Sequence, residues 1–174
     1  GSDDFLSPRS PIAVLDEDWG VDVEAEVAVI TDYIPMGSKI EKIKDKILMV
    51  MIANDISLRN LIPEEINKGF GFFQSKPSTS FSPVAVTIDE LGKSWVDGKL
   101  HETIMVDLNN IPLGRNQTGE DMTFNFYELI THAAKTRNLS SGSIFGSGTI
   151  SNMSSNGGPE DTIVQGGRGY SCIV

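Results

Sequence analysis

A single cysteine, Cys172, rules out an internal disulfide and gives no reason to place the chain in an oxidising compartment. Basic charge is scarce as well: 14 Lys and Arg are scattered among 24 acids, for a net charge of -10. With no cationic stripe to neutralise phosphates, nucleic acid is not an expected partner. Long apolar runs are missing too. The longest, Ile47 to Ala53, falls far short of the roughly 18 residues that suggest a membrane span, so no membrane partner is expected. The opening Gly1-Ser2-Asp3-Asp4-Phe5 has neither the charged region nor the apolar region of a secretory signal, and no initiator Met. The expected location is cytoplasmic. Histidine is limited to His101 and His132, and no Ser/His/Asp or Cys/His ordering accompanies them, which disfavours a serine or cysteine nucleophile. No repeat, heptad run or low-complexity tract divides the 174 residues, and 39% hydrophobic composition suits one core, so residues 1–174 are expected to form one domain.

What is present begins with Val21 to Val29. Its odd positions carry Val, Val, Ala, Val and Val, while Asp22, Glu24 and Glu26 share the even face, the period-two pattern of a strand. Glu24 and Glu26 would then project side by side, roughly 6 to 7 Å apart at their backbones. Two carboxylates so placed can converge on one hard cation, or they can simply form the wet face of a sheet. Asp22 reads as a bystander on that face.

Further on, Ser38 is placed to cap a short helix over Lys39 to Lys46, and Ile47 to Ala53 reads as a strand covered on both faces. Pro63-Glu64-Glu65 opens a brief helix broken by Gly69 and Gly71. Strands are expected at 84–88 and 103–108, with hairpin chemistry at Val96-Asp97-Gly98-Lys99 between them. A helix follows over about Asn125 to Arg137, capped by Thr123 or Asp121, and residues 140–169 hold short strands at best.

Three features carry possible chemistry. Asp55 closes the apolar run, where an ionised carboxylate needs a cation or donors; a helix cap or an ion pair with Arg59 would serve, and so would a metal ion shared with Glu24 and Glu26. Lys76 sits in a Ser/Thr/Pro setting, either as an exposed loop lysine or as a cation beside a bound anion. Gly146-Ser147-Gly148-Thr149 is a plain turn or a set of backbone donors. An all-oxygen donor set suits Mg2+, Ca2+ or Mn2+ and does not suit zinc.

Taken together and in order, Glu24-Ala25-Glu26, Ala53-Asn54-Asp55-Ile56-Ser57-Leu58-Arg59, Lys76 and Gly146-Ser147-Gly148-Thr149 resemble the fumarylacetoacetate hydrolase family over nearly the whole chain. The resemblance implies an α+β, strand-dominated mixed β-roll with a few short helices, and a homodimer. It implies that Glu24, Glu26 and Asp55 are metal ligands, for Mg2+ first and Ca2+ or Mn2+ as alternatives. It makes Lys76 the catalytic cation near a substrate oxyanion, and Arg59, Ser80 and Thr149 substrate contacts. Ser80 stands where relatives often carry Thr, and Ile62 where some carry Gln, which points to a different substrate. The implied activity is metal-dependent hydrolysis of a carbon-carbon bond in a 2-oxo or 1,3-dioxo acid, as in aromatic amino acid catabolism, with attack by water and an enolate leaving group. Decarboxylation, hydration or isomerisation on the same fold are alternatives, as is an inactive scaffold that only binds or dimerises. The family's further acidic ligand and general-base His precede Gly1, and the Glu that orients that His lies beyond Val174. The chain is therefore expected to be an internal fragment of a longer enzyme.

Overall fold

The computed structural model describes residues 4–69 and 71–173. Gly1 to Asp3, the start of the opening segment read above, lie outside the described residues. Strands dominate: β1 (Val21–Asp22), β2 (Ala25–Thr31), β3 (Ile47–Asn54), β4 (Ser57–Leu58), β5 (Ser80–Phe81), β6 (Val86–Thr87), β7 (Trp95–Val96), β8 (Lys99–Leu100), β9 (Thr103–Leu108), β10 (Ile111–Gln117) and β11 (Ile144–Gly146). The helices are short: α1 (Ile40–Ile43), α2 (Ile62–Asn67), α3 (Ile88–Leu91) and α4 (Phe126–Ala133). This is the strand-dominated α+β arrangement expected. Among the described residues no helix is long and apolar enough to cross a membrane.

The central sheet is antiparallel and runs β11-β2-β3-β5, with β6 also pairing β3. Strand β2 is buried on both sides. Val27 and Val29 point into the main core with Ile34, Ile43, Phe126 and Ile130, whereas Ala28 faces a smaller cluster with Met51 and Ala53. Helix α4 closes the main core through Phe126, Tyr127 and Ile130 at helical spacing, and Trp95 stacks on Phe126 at 6.0 Å.

Several expectations are corrected. The alternating segment is not one strand: it breaks at Val23-Glu24, because β1 pairs with β4 while β2 pairs with β3. Strand β3 is not covered on both faces, since Leu48 and Ile52 are 42% and 56% exposed. The expected strand over 84–88 shortens to β6 before α3 begins. Asn125 caps α4, accepting from the Glu128 N–H in a capping box, in place of Thr123 or Asp121. Ser38 does not cap α1; its hydroxyl donates to the Pro35 carbonyl. The turn at Asp97-Gly98 joins β7 to β8, and β9 pairs instead with β10 across Asn109-Asn110. Both asparagines have positive φ, which the residue type tolerates in a tight hairpin.

Candidate metal centre and active site

Register builds the site. Ala25 lies across from Asn54 and Glu26 across from Ala53, so Glu24 meets Asp55 just past the end of the ladder, where the Asp55 N–H donates to the Glu24 carbonyl at 2.9 Å. Two carboxylates facing each other across strands repel unless something neutralises them. Glu26, two residues along the same face, adds a third. One oxygen from each of Glu24, Glu26 and Asp55 can be chosen so that all lie within 4.8 Å of one another.

Lys76 supplies part of the compensation. Its ammonium contacts Glu24 Oε2 at 2.7 Å and Asp55 Oδ2 at 2.9 Å and donates to Ser57 Oγ at 2.6 Å, so its three protons have three acceptors. Only 11% of the side chain is exposed. Burial works against the charge, but the hydrogen bonds and charges of Glu24 and Asp55 outweigh it and raise the Lys76 pKa. The Phe72 ring lies 5.9 Å from the ammonium.

Arg59 serves the other side of Glu24. Its Nη2 meets Glu24 Oε1 at 2.9 Å while its Nε donates to Asp22 Oδ2 at 2.8 Å. Asp22 is fully buried and also accepts from the Val23 and Ile173 N–H groups, so it is no bystander: it fixes the guanidinium. Burial raises the Glu24 pKa, yet hydrogen bonds from Lys76, Thr149 and Ser57 more than offset it and hold the carboxyl below its ordinary range.

Glu26 is left out of this compensation. It is 6% exposed, and among the described residues no Lys, Arg or His forms an ion pair with it. Burial, followed by the charges of Asp55 and Glu24, pushes its carboxyl up to about 7. An acidic triad with two buried members, a half-buried Asp55 and only oxygen donors fits a hard divalent cation, the more so with Glu26 under-compensated. Backbone geometry makes room for it. A Cβ on Gly146 would fall 2.2 Å from Glu26 Oε2, so β11 must carry glycine where it passes the carboxylate. Gly146→Ala is therefore expected to displace Glu26 and weaken Mg2+ binding about 10–100-fold, the scale of losses when a ligand's support is removed. Calorimetric titration of the folded variant checks this, and unchanged affinity would show that Glu26 is not a ligand.

The same carboxyl makes a pH prediction for the metal-stripped protein. Its folded pKa of about 7 exceeds the ordinary 4.5, so the folded state holds the proton more tightly. Its stabilising contribution is complete below about pH 4.5 and is lost as pH rises through about 7, on the order of 3 kcal/mol in all. The unfolding midpoint should fall between about pH 5 and 8, and Glu26→Gln should flatten that fall. A wild-type midpoint that rises across the interval would contradict the assignment.

The structure thus brings Glu24, Glu26, Asp55, Lys76, Arg59 and Thr149 together. Ser80 it does not: the Ser80 hydroxyl donates to the Ser7 carbonyl, and the residue lines a separate groove with Ile52 and Met105. Strand alternation puts Thr79 on the site side instead, and its hydroxyl donates to Asp55 Oδ1 at 3.1 Å. A cavity of about 460 Å³ opens over Glu26, Asp55 and Thr79 and reaches Phe5 and Phe81. Ser57 and Thr79, the anchoring role of Asp22 and the need for a glycine at 146 beside Glu26 were not foreseen from the sequence. For Ser57 a signal existed: in Asp55-Ile56-Ser57-Leu58-Arg59 the odd residues alternate with apolar ones, and Ile56 and Leu58 are indeed buried.

Residues 2–170 match the family described as fumarylacetoacetate (FAA) hydrolase C-terminal. An uncharacterised protein of Pyrococcus abyssi is 31% identical over 146 residues, which cover 83% of this chain and 63% of that protein, so the chain spans less than two thirds of this relative. A protein of Yersinia pestis CO92, described as belonging to the fumarylacetoacetate hydrolase family, superposes with a TM-score of 0.70 at 21% identity, over 83% of this chain and 68% of that one. For 5-carboxymethyl-2-hydroxymuconate delta-isomerase from Mycobacterium smegmatis the TM-score is 0.64 at 18% identity, over 82% and 53%. These two likenesses are of fold. The sequence match over almost every residue decides the rest: the chain belongs to the fumarylacetoacetate hydrolase family, in its C-terminal domain.

Proposed function

We propose that the chain carries the metal-binding part of a site that hydrolyses a carbon-carbon bond in a 2-oxo or 1,3-dioxo acid of the fumarylacetoacetate or acylpyruvate type. The observation behind this reading is Lys76 seated between Glu24 and Asp55, beside a Glu26 that has no cation of its own. Glu24, Glu26 and Asp55 would hold the ion, with Mg2+ first and Ca2+ or Mn2+ next. When bound, the ion supplies a Lewis acid for the oxo oxygens of the substrate. Lys76 contributes a fixed positive charge where an enolate oxygen develops negative charge, in a setting with little water to screen it. Arg59, locked by Asp22, pairs with Glu24 and leaves 30% of its side chain open to a substrate carboxylate. Thr149 offers its hydroxyl beside Glu24, and the cavity of about 460 Å³ suits a small acid.

A second reading is isomerisation of an oxo acid, the class of reaction for which the structurally similar chain of Mycobacterium smegmatis, 5-carboxymethyl-2-hydroxymuconate delta-isomerase, is named. Tautomerisation needs a proton moved along the substrate, with no water to activate. Full-length protein with Mg2+ should be assayed on acylpyruvates, oxaloacetate and an enol-keto pair. Release of pyruvate and a carboxylic acid supports hydrolysis, loss of enol absorbance without cleavage supports isomerisation, and inactivity on all three overturns both.

A further inference from the structure

We propose that Glu65 is a positioning residue for Lys76: its carboxylate clamps the turn Phe73–Ser75 and so holds the ammonium between Glu24 and Asp55. The assignment deepens the reading of the site given above and rests on it for its kinetic part. Glu65 lies on α2, well outside the acidic triad, yet it accepts four hydrogen bonds from the three residues just before Lys76. Gln74 N–H donates to Oε1 at 2.6 Å, while Phe73 N–H, Ser75 N–H and Ser75 Oγ donate to Oε2 at 2.9, 3.3 and 2.5 Å. Three successive backbone N–H groups turned toward one point form an anion-binding concavity, and here the protein's own carboxylate fills it.

The clamp connects directly to the site. Ser75 is fully buried, its carbonyl accepts from the Leu58 N–H at 2.8 Å, and Leu58 immediately precedes Arg59. Lys76 is the next residue along the chain. Helix α2 itself contributes no buried residue, so packing does not hold this segment against the body of the protein. Gly69 and Gly71, both at positive φ, let the chain reverse between α2 and the turn. The burden of fixing the turn before Lys76 therefore falls on polar contacts, and Glu65 accepts four of them. Consistent with so many donors, above all the Ser75 hydroxyl, the Glu65 carboxyl is held down to about 2 and stays ionised throughout the working pH range.

Glutamine at position 65 keeps the shape but turns an NH2 group toward backbone donors, whereas aspartate keeps both acceptor oxygens on a shorter stem. In the full-length enzyme, Glu65→Gln is expected to lower kcat on the order of 10–100-fold by letting Lys76 shift. KM and Mn2+ affinity, read by the Mn2+ spin-resonance signal, should stay unchanged, and Glu65→Asp should recover part of the rate. The loss should vanish in a Lys76→Met background, since a residue acting only through Lys76 has nothing left to position. A further loss on top of Lys76→Met, or an unchanged kcat, would overturn the assignment.

A readout that needs no turnover separates this from the functional reading. Trace acetylation followed by peptide mass analysis should label Lys76 faster in Glu65→Gln than in wild type, with Lys46 as an unaffected internal standard. Equal labelling of Lys76 in the two proteins overturns the clamp. Faster labelling in a protein that turns over no oxo acid sustains the clamp and overturns the proposed function.

Discussion

Replacing Lys76 by methionine is expected to lower kcat by about 10²–10³ with little change in KM, the loss seen when one fixed partner of a developing oxyanion is removed. Methionine keeps most of the length and the apolar stem, so the change isolates the charge. Three acceptors lose their donor at once: Glu24 Oε2, Asp55 Oδ2 and Ser57 Oγ. Glu24 retains Arg59 and Asp55 retains Thr79, so neither carboxylate is abandoned. Breaking a buried ion pair from one side costs about 3–5 kcal/mol at most, and the metal-free variant should melt earlier by a matching amount. Added Mg2+ should narrow the gap, because the ion takes over the compensation of the acids. Arginine is no substitute, since a planar fork does not reproduce a point charge with three short contacts. Steady-state kinetics on whichever oxo acid proves active decides the matter: a methionine variant with wild-type kcat removes Lys76 from the reaction.

The second large effect concerns the acids. Converting Glu24 and Glu26 together to glutamine should weaken Mg2+ binding by more than about 100-fold, beyond the loss from disturbing a ligand's supports alone. The two changes act oppositely on the metal-free fold. Losing the Glu24 charge strips Lys76 and Arg59 of a shared partner, whereas neutralising Glu26 relieves a carboxylate that burial and the neighbouring acids already disfavour. The double variant should therefore remain folded by circular dichroism while failing to bind the ion in calorimetry. Undiminished affinity would remove both residues from the ligand set.

Much of this site could be read from the chain, and the reasons for the remainder are physical. Glu24 and Glu26 stood out because side chains alternate along a strand, and Asp55 because a charge at the end of an apolar run needs a partner. Local pattern could not reveal that the alternating segment changes partners between Asp22 and Ala25, since β4 and β3 lie far along the sequence. The same blindness made Asp22 look idle. Its partner Arg59 arrives only through the pairing of Asp22 with Ser57. Strand β10 escaped because Pro112, Gly114, Arg115 and Asn116 mask any alternation, and the Asn109-Asn110 turn is what places it against β9. The choice between Thr79 and Ser80 depended on which one faces inward, a matter of register that the spacing from Lys76 does not carry.

Because the three acids meet only when Glu24 stands opposite Asp55, the cage is also a gauge of strand alignment. A slip of one residue between β2 and β3 would turn Asp55 to the far face and set Asn54 or Ile56 in its place. Such a misaligned chain has no triad to offer, so a divalent ion held by the triad would bind the correctly paired molecule alone. At a concentration of about 100 times its dissociation constant the ion favours that molecule by about 2.7 kcal/mol. An ion held by the cage would then act as an editor of folding, sorting sheets by register.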